Sequence, residues 1–375
     1  MSCSRILILR PDNIGDVVLF SGAFRHIRGL YPDAHITLAV QTHIVNLVEL
    51  CPYIDVCVPI SCLTWWGRFE NIALPFDKYR LKKLIDIINK ICNKVRRPFD
   101  IIIYPVKSPQ VKHLETINCL SARQIFGITG CSINAPKNGY PSALKLERLY
   151  TNCFDVSKID PWRHELLTTY NFLRFLGCLT TTFNNIKPQF WLSNSEINHL
   201  DGVQKNGRKI IGLFPGASFE IKNWDPFNYG DFAVLLGGQP IYAIFGSPAQ
   251  KTLNDRVEFS IRERCEDVEI LNLTGQTTLR ELINTITSCD LLIGVDTSGL
   301  HMAISAGMPT IGIVGGGHFG RFVPWGDSEK NIFLTKKMEC FNCNWVCTKE
   351  EVECIRGVSP YEVAFVVNNM LDGES

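Results

Sequence analysis

DLLIGVDTSGLHMAISAGMPTIGIVGGG, Asp290 to Gly317, sets two apolar runs on either side of a polar loop and a short helical segment. Residues 291–295 and 310–314 read as strands, and between them Asp296, Thr297, Ser298 and Gly299 make a loop that leads into a helix carrying His301. Apolar runs of this length, bounded by glycine, suit a parallel sheet covered on both faces. Such sheets bind ligands at the carboxyl ends of their strands, which is where the Asp296 loop falls.

Working outward, the same alternation of strand and helix fills the chain. Strands are expected at 5–9, 36–40, 55–60 and 100–104, with helices at 16–30, 45–50, 79–95 and 162–176. A polar Thr/Asn segment, 180–187, is the linker candidate. The rhythm then restarts with strands at 209–214, 241–245 and 269–271 and helices at 227–236, 248–264 and 279–288. A last helix over 360–371 has Ser359 as its N-cap and Pro360 at its first position. This is the pattern of a doubly wound α/β protein with two Rossmann-like parallel-sheet domains facing a cleft. The expected division is 1–180, 181–358 with a cysteine cluster, and a terminal segment, 359–375, packing back on the amino-terminal domain.

Composition narrows the function. Lys and Arg number 38 against 37 Asp and Glu, a net charge of +1, which gives no general attraction for nucleic acid or anionic membrane. The start, MSCSRILILR, goes straight into a strand without the apolar stretch and cleavage site of a secretory signal. No apolar run reaches the roughly 18 residues of a membrane span. A cytoplasmic enzyme is expected, with peripheral membrane association left open.

The chain has 15 cysteines, most of them, such as Cys57, Cys92, Cys119, Cys178 and Cys289, in apolar contexts that suit buried thiols. Cys340, Cys343, Cys347 and Cys354 differ, being spaced C-x2-C-x3-C-x6-C. That density fits a closed tetrathiolate site for structural zinc or iron; reduced thiols or a single disulfide are the alternatives.

Three loops fall where this architecture places chemistry. Arg10-Pro11-Asp12-Asn13-Ile14-Gly15-Asp16 joins the first strand to the first helix, and Gly15 permits close backbone approach. By position Asp16 is either a helix cap or a base. Pro215-Gly216-Ala217-Ser218, followed by Lys222 and Trp224, opens the second half. Its small residues suit an oxyanion, Lys222 is either a diphosphate ligand or a solvated surface residue, and Trp224 reads as packing. In the third loop Thr297, Ser298 and Gly299 offer hydroxyls and amides at a helix start, and His301 is either a ligand contact or a core histidine.

In series these segments resemble glycosyltransferase family 9, the heptosyltransferases of the bacterial lipopolysaccharide core. RILILRPDNIGDVVLFSGAFRHIRGLYPDAHITLAV is similar to the family's opening strand, Gly-Asp turn and Tyr-Pro-Asp-Ala segment. IGLFPGASFEIKNWDPFNYGDFAVLL, GVDTSGLHMAISAGMPTIGIVG and VSPYEVAFVVNNML resemble its donor-domain blocks and tail. The resemblance implies a GT-B fold and an inverting transferase of heptose or a related sugar from a nucleotide diphosphate such as ADP-heptose. The acceptor implied is a cell-envelope glycan or glycolipid, met at the inner face of the membrane.

By the same resemblance Asp16 is the catalytic base and Lys222 the stabiliser of the departing diphosphate. Gly216, Ala217, Ser218, Thr297, Ser298, Gly299 and His301 fall in the donor-binding blocks, with Asp296 facing the sugar hydroxyls. Arg10, Asn13, Gly15, Lys107 and Lys112 are the acceptor candidates; by their aromatic and basic character Trp65, Trp66, Arg68, Lys107, Lys112 and His113 suit a phosphorylated saccharide, with solvent-exposed loop residues as the alternative. No cofactor is required for the transfer.

The turn Gly246-Ser247-Pro248-Ala249-Gln250 departs from members that use ADP-heptose, which commonly carry an acid there for the ribose; Gln250 takes its place. Another nucleotide-sugar, a protein acceptor, or a non-catalytic binding role are the alternatives. A nicotinamide oxidoreductase is disfavoured, because no G-x-G-x-x-G follows the first strand.

Overall fold

The computed structural model describes residues 4–61, 99–120, 122–131, 148–160 and 162–372. Trp65, Trp66, Arg68 and the 79–95 stretch lie outside the described residues, as does the side chain of Lys112. The chain divides into two compact units, Met1–Lys187 and Pro188–Ser375.

The first unit carries strands β1 Arg5–Arg10, β2 His35–Val40, β3 Val56–Pro59, β4 Ile101–Tyr104, β5 Gln124–Thr129 and β6 Asn152–Asp155. They form one sheet in the order β3-β2-β1-β4-β5-β6, parallel at every pairing. Its described helices are α1 Ile14–Phe20, α2 Phe24–Leu30, α3 Val45–Val48, α4 Val111–Leu120 and α5 Glu165–Leu176. Ile6, Leu7, Ile8 and Leu9 are fully buried, as a central strand covered on both faces requires.

The second unit repeats this plan with β7 Ile210–Phe214, β8 Ile241–Ile244, β9 Ile270–Asn272, β10 Leu291–Val295, β11 Thr310–Ile313 and β12 Asn331–Leu334. The order is β12-β11-β10-β7-β8-β9, again all parallel. Numbered within its own unit, each sheet runs 3-2-1-4-5-6, the doubly wound order that reverses direction between its first and fourth strands. The described helices are α6 Pro226–Leu236, α7 Lys251–Arg264, α8 Leu279–Ile286, α9 Ser298–Ser305, α10 Glu353–Arg356 and α11 Pro360–Asp372.

Two expectations change. The 16–30 helix is two helices, α1 and α2, joined by a 3-10 turn at Ser21–Ala23. The break falls at Gly22, whose missing side chain admits the carbonyls of Ile186 and Lys187. The 180–187 segment is therefore docked rather than a free linker: the His26 ring meets Thr181 Oγ1 at 3.0 Å and the Asn185 carbonyl at 3.0 Å.

The terminal helix α11, expected against the amino-terminal domain, instead buries Val363, Ala364 and Val367 in the core of the second unit and packs on α6. Its start is a reciprocal box, with Glu362 accepting from the Ser359 amide at 2.8 Å and Ser359 accepting from the Glu362 amide at 3.2 Å. Among the described residues no helix is long and apolar enough to cross a membrane.

Candidate active site

Each sheet has one switch point, where the loops after its first and fourth strands diverge, and most of the candidate residues lie on those loops.

In the second unit those loops follow β7 and β10. Lys222 lies in a 3-10 turn, Glu220–Lys222, and its side chain is about nine-tenths buried, so it is not a solvated surface residue. Its ammonium donates to Asp296 Oδ2 at 2.6 Å and stands 4.8 Å from the centre of the Trp345 ring. Burial pushes the Asp296 carboxyl up, and the Lys222 charge and hydrogen bond, with His301 and His318, together more than offset it, so the carboxyl sits below the usual carboxylate range. A buried lysine thus pairs with a buried carboxylate held in its charged form where a parallel sheet receives its ligands.

The neighbouring residues divide into those that shape this point and those that face it. A side chain at Gly299 would run into the Phe214 ring at the end of β7, so glycine lets α9 lie close to the sheet. A side chain at Gly216 would meet the amide of Gln250, which brings these two candidates together. The other end of that amide is engaged, since Gln250 Oε1 accepts from the Ser247 amide at 2.8 Å and caps its own turn.

The Ala217 amide donates to Asn223 Oδ1 at 2.9 Å, while Ser218 is exposed. Thr297 is the N-cap of α9 and makes no side-chain cap bond, so the first-turn amides of that helix have no side-chain acceptor from their cap. His301 is buried and accepts a hydrogen bond at Nδ1 from the Trp325 indole at 3.0 Å. Trp224 is packing, buried edge-on to Tyr229 with its indole N–H donated to the Val358 carbonyl.

In the first unit the corresponding loops follow β1 and β4. Arg10 is buried and its guanidinium is shared among the Asp12 carboxylate at 2.7 Å, the Pro105 carbonyl at 2.6 Å and the Asp16 carbonyl at 3.1 Å. It also lies over the Phe20 ring. Arg10 therefore ties both loops and the start of α1 together. Gln41 completes the tie, its amide donating to the carbonyls of Pro11 and Asp12, each at 2.8 Å.

Asn13 is the exposed N-cap of α1, and Gly15 and Asp16 lie in its first turn, so Asp16 is not the cap. Asp16 lines a small pocket with Arg10, Leu19, Pro105, Glu165 and Thr168. Lys107 is buried, donating to the Arg163 carbonyl at 3.1 Å with Glu165 at 3.5 Å. His113 meets the Tyr104 hydroxyl at 3.2 Å, and Lys112 lies in α4.

The cysteine segment behaves differently from the expected metal knot. Cys340, Cys343, Cys347 and Cys354 line one pocket, and none of them is in a disulfide. Among the described residues no group of three or more His, Cys, Asp or Glu side chains is gathered so as to hold a metal ion. Burial pushes the Cys354 thiol up, its three neighbours add to this, and the Gly316 amide, 3.4 Å from its sulfur, opposes it. What the segment packs instead is aromatic: Phe341 and Trp345 fill the space over Gly315, Gly316 and Gly317. Among the described residues the grouping expected of a zinc or iron tetrathiolate is not found.

Sequence reasoning passed over Glu165, Trp325, Trp345 and His318. Glu165 stands beside His164, which caps α5 by accepting from the Leu166 amide, and so had a local signal. The other three reach the site from loops distant in sequence.

A buried cation and anion lie at the switch point of a doubly wound α/β sheet, beside a helix start, where sheets of this kind receive their ligands. Comparison supplies the class. Residues 147–350 match the family model Glycosyltransferase family 9 (heptosyltransferase), and the chain belongs to that family. It is a glycosyltransferase, and its two Rossmann-like units are the halves of a GT-B fold.

Among relatives, the chain is 27% identical over 373 residues, 98% of each chain, to lipooligosaccharide heptosyltransferase 2 of Campylobacter jejuni. A family 9 glycosyl transferase structure from Veillonella parvula superposes with a TM-score of 0.71 at 19% identity, covering 99% of this chain and 98% of that one. The ADP-heptose lps heptosyltransferase II of E. coli does so at 0.64 and 17%, covering 99% and 100%.

Proposed function

We propose that the chain is an inverting heptosyltransferase that moves a heptose or related sugar from a nucleotide diphosphate, ADP-heptose or similar, to a lipopolysaccharide-type core glycan. The observation that carries this reading is the buried Lys222–Asp296 pair at the switch point of a family 9 chain. The names of the Campylobacter relative and of the E. coli neighbour support the sugar and the nucleotide. The carboxy-terminal unit would hold the donor and the amino-terminal unit the acceptor, with Asn13, Gly15, Lys107 and Lys112 on the acceptor side. An acceptor anchored in lipid would be met at the inner face of the membrane.

Displacement at an anomeric carbon needs a base for the attacking hydroxyl and positive charge for the leaving group. In this reading Asp16 removes the acceptor proton as the new glycosidic C–O bond forms. The bond from the anomeric carbon to the diphosphate breaks, and its electron pair leaves on the nucleoside diphosphate. Lys222 shifts from Asp296 toward the departing charge. The amides and hydroxyls of Thr297, Ser298 and Gly299, with Ala217 and Ser218, meet the remaining phosphate oxygens. Asp296, released from its partner, accepts from sugar hydroxyls. Arg10 and His301 hold their loops.

The test is transfer from ADP-β-heptose to a heptose-deficient core saccharide, with the product linkage read by NMR. An α-linked heptose is expected; a β-linked product would exclude direct displacement, and no transfer with any core acceptor would exclude the function.

A further inference from the structure

Trp345 is held in a costly way. Its backbone φ is +60°, and Asn342 and Asn344 share the left-handed region at +67° and +52°. Asparagine tolerates that region, whereas for a bulky residue it is an outlier. Its indole N–H is buried and finds no acceptor among the described residues. Strain of this kind persists only where surrounding structure imposes it.

The imposing contacts are clear. The Asn342 and Asn344 amides donate to the carbonyls of Gly316 and Gly317 at 2.7 and 3.1 Å. The Trp345 ring lies against Gly315 and Gly317, where any side chain would collide with it. His318 closes the other side, its Nε2 2.7 Å from Asn344 Oδ1 and its ring edge-on to Trp345 at 6.0 Å. Burial pushes the His318 imidazole down to about 4, so His318 itself carries no charge at neutral pH. What this arrangement delivers is a ring face 4.8 Å from the Lys222 ammonium.

We propose that Trp345 is the positioning residue for Lys222: the glycine-backed ring seats the ammonium at the switch point without a second negative charge. This rests on the reading of Lys222 as the diphosphate ligand. A carboxylate holds an ammonium by a strong, directional bond that a diphosphate must compete with. An aromatic face attracts the same cation more weakly and sets no single bond, so Lys222 stays near the site after it leaves Asp296.

Calorimetric titration of ADP, GDP and UDP into the full-length chain tests this, using the tightest binder of the three. Lys222→Ala is expected to weaken that binding at least tenfold and Trp345→Leu about five- to tenfold. Trp345→Phe, which keeps a ring face, should stay within about threefold. Phe341→Leu disturbs the packing on Gly316 without removing the Lys222 contact, and should also stay within that range. In the Lys222→Ala background Trp345→Leu should add nothing.

If no nucleoside diphosphate binds, or Lys222→Ala binds normally, the donor-site reading and this inference fall together. If Lys222→Ala binds weakly but Trp345→Leu binds as wild type, the inference alone falls. It also falls alone if the two losses multiply in the double variant, or if Phe341→Leu matches Trp345→Leu.

Discussion

The two switch points share a topology and differ in how each holds its cation. Around β1 and β4, Arg10 is fixed by a carboxylate and two backbone carbonyls and covers the Phe20 ring. Around β7 and β10, Lys222 has a single carboxylate partner at 2.6 Å and an aromatic face. A planar guanidinium fork with several partners is a fixed strut, whereas a point charge on a flexible stem with one partner can be exchanged. The same position in the fold is thus a structural clamp in one unit and, in the function proposed above, the anion site in the other.

Four substitutions and a pH series would break or sharpen this contrast. The largest effect is expected for Asp16→Asn, which keeps the shape of the first-unit loop but cannot take a proton. Transfer should fall by about 10²–10⁴ with donor binding retained, read by steady-state kinetics and calorimetry. Retained turnover would remove Asp16 as the base.

Lys222→Met should come next. It leaves the buried Asp296 carboxylate without its counter-charge and should cost about 3–5 kcal/mol, measured by denaturant unfolding. The sign of its pH dependence follows from the depressed Asp296 carboxyl. A carboxyl held low contributes stability above its unfolded range and loses it as pH falls through the folded value. The gap between wild type and Lys222→Met should therefore narrow from about pH 7 to about pH 3. A gap that widens on acidification would contradict the pairing.

Arg10→Lys should cost about 1.5–3 kcal/mol, because the ammonium cannot serve the three acceptors in the guanidinium's geometry. The loss should appear in first-unit stability, read by hydrogen exchange at β1 and β4. The smallest effect, about 1–3 kcal/mol, is expected for Gly299→Ala, which presses a methyl group onto Phe214 and should shift the melting temperature downward.

What could be read from the chain follows the same physics. Strands buried on both faces, such as Arg5–Arg10, Ile210–Phe214 and Leu291–Val295, carry unbroken apolar runs and stand out. The edge strands Asn152–Asp155 and Asn331–Leu334, and the neighbouring Gln124–Thr129, were not anticipated. The edge pair is only partly buried and mixes polar with apolar residues, so neither shows a clean run. Loops that end central strands announced themselves through Gly, Asp and Ser. Trp345 did not, because its neighbours in sequence are cysteines that suggest metal, and its contact with Lys222 exists only after the chain has folded.

The most direct measurement of the central claim is calorimetric binding of ADP-heptose to wild type, Lys222→Met and Arg10→Lys. A working difference between the two switch points predicts at least tenfold weaker binding for Lys222→Met and binding within about twofold of wild type for Arg10→Lys. Equal losses in both variants, or unchanged binding in Lys222→Met, would contradict it.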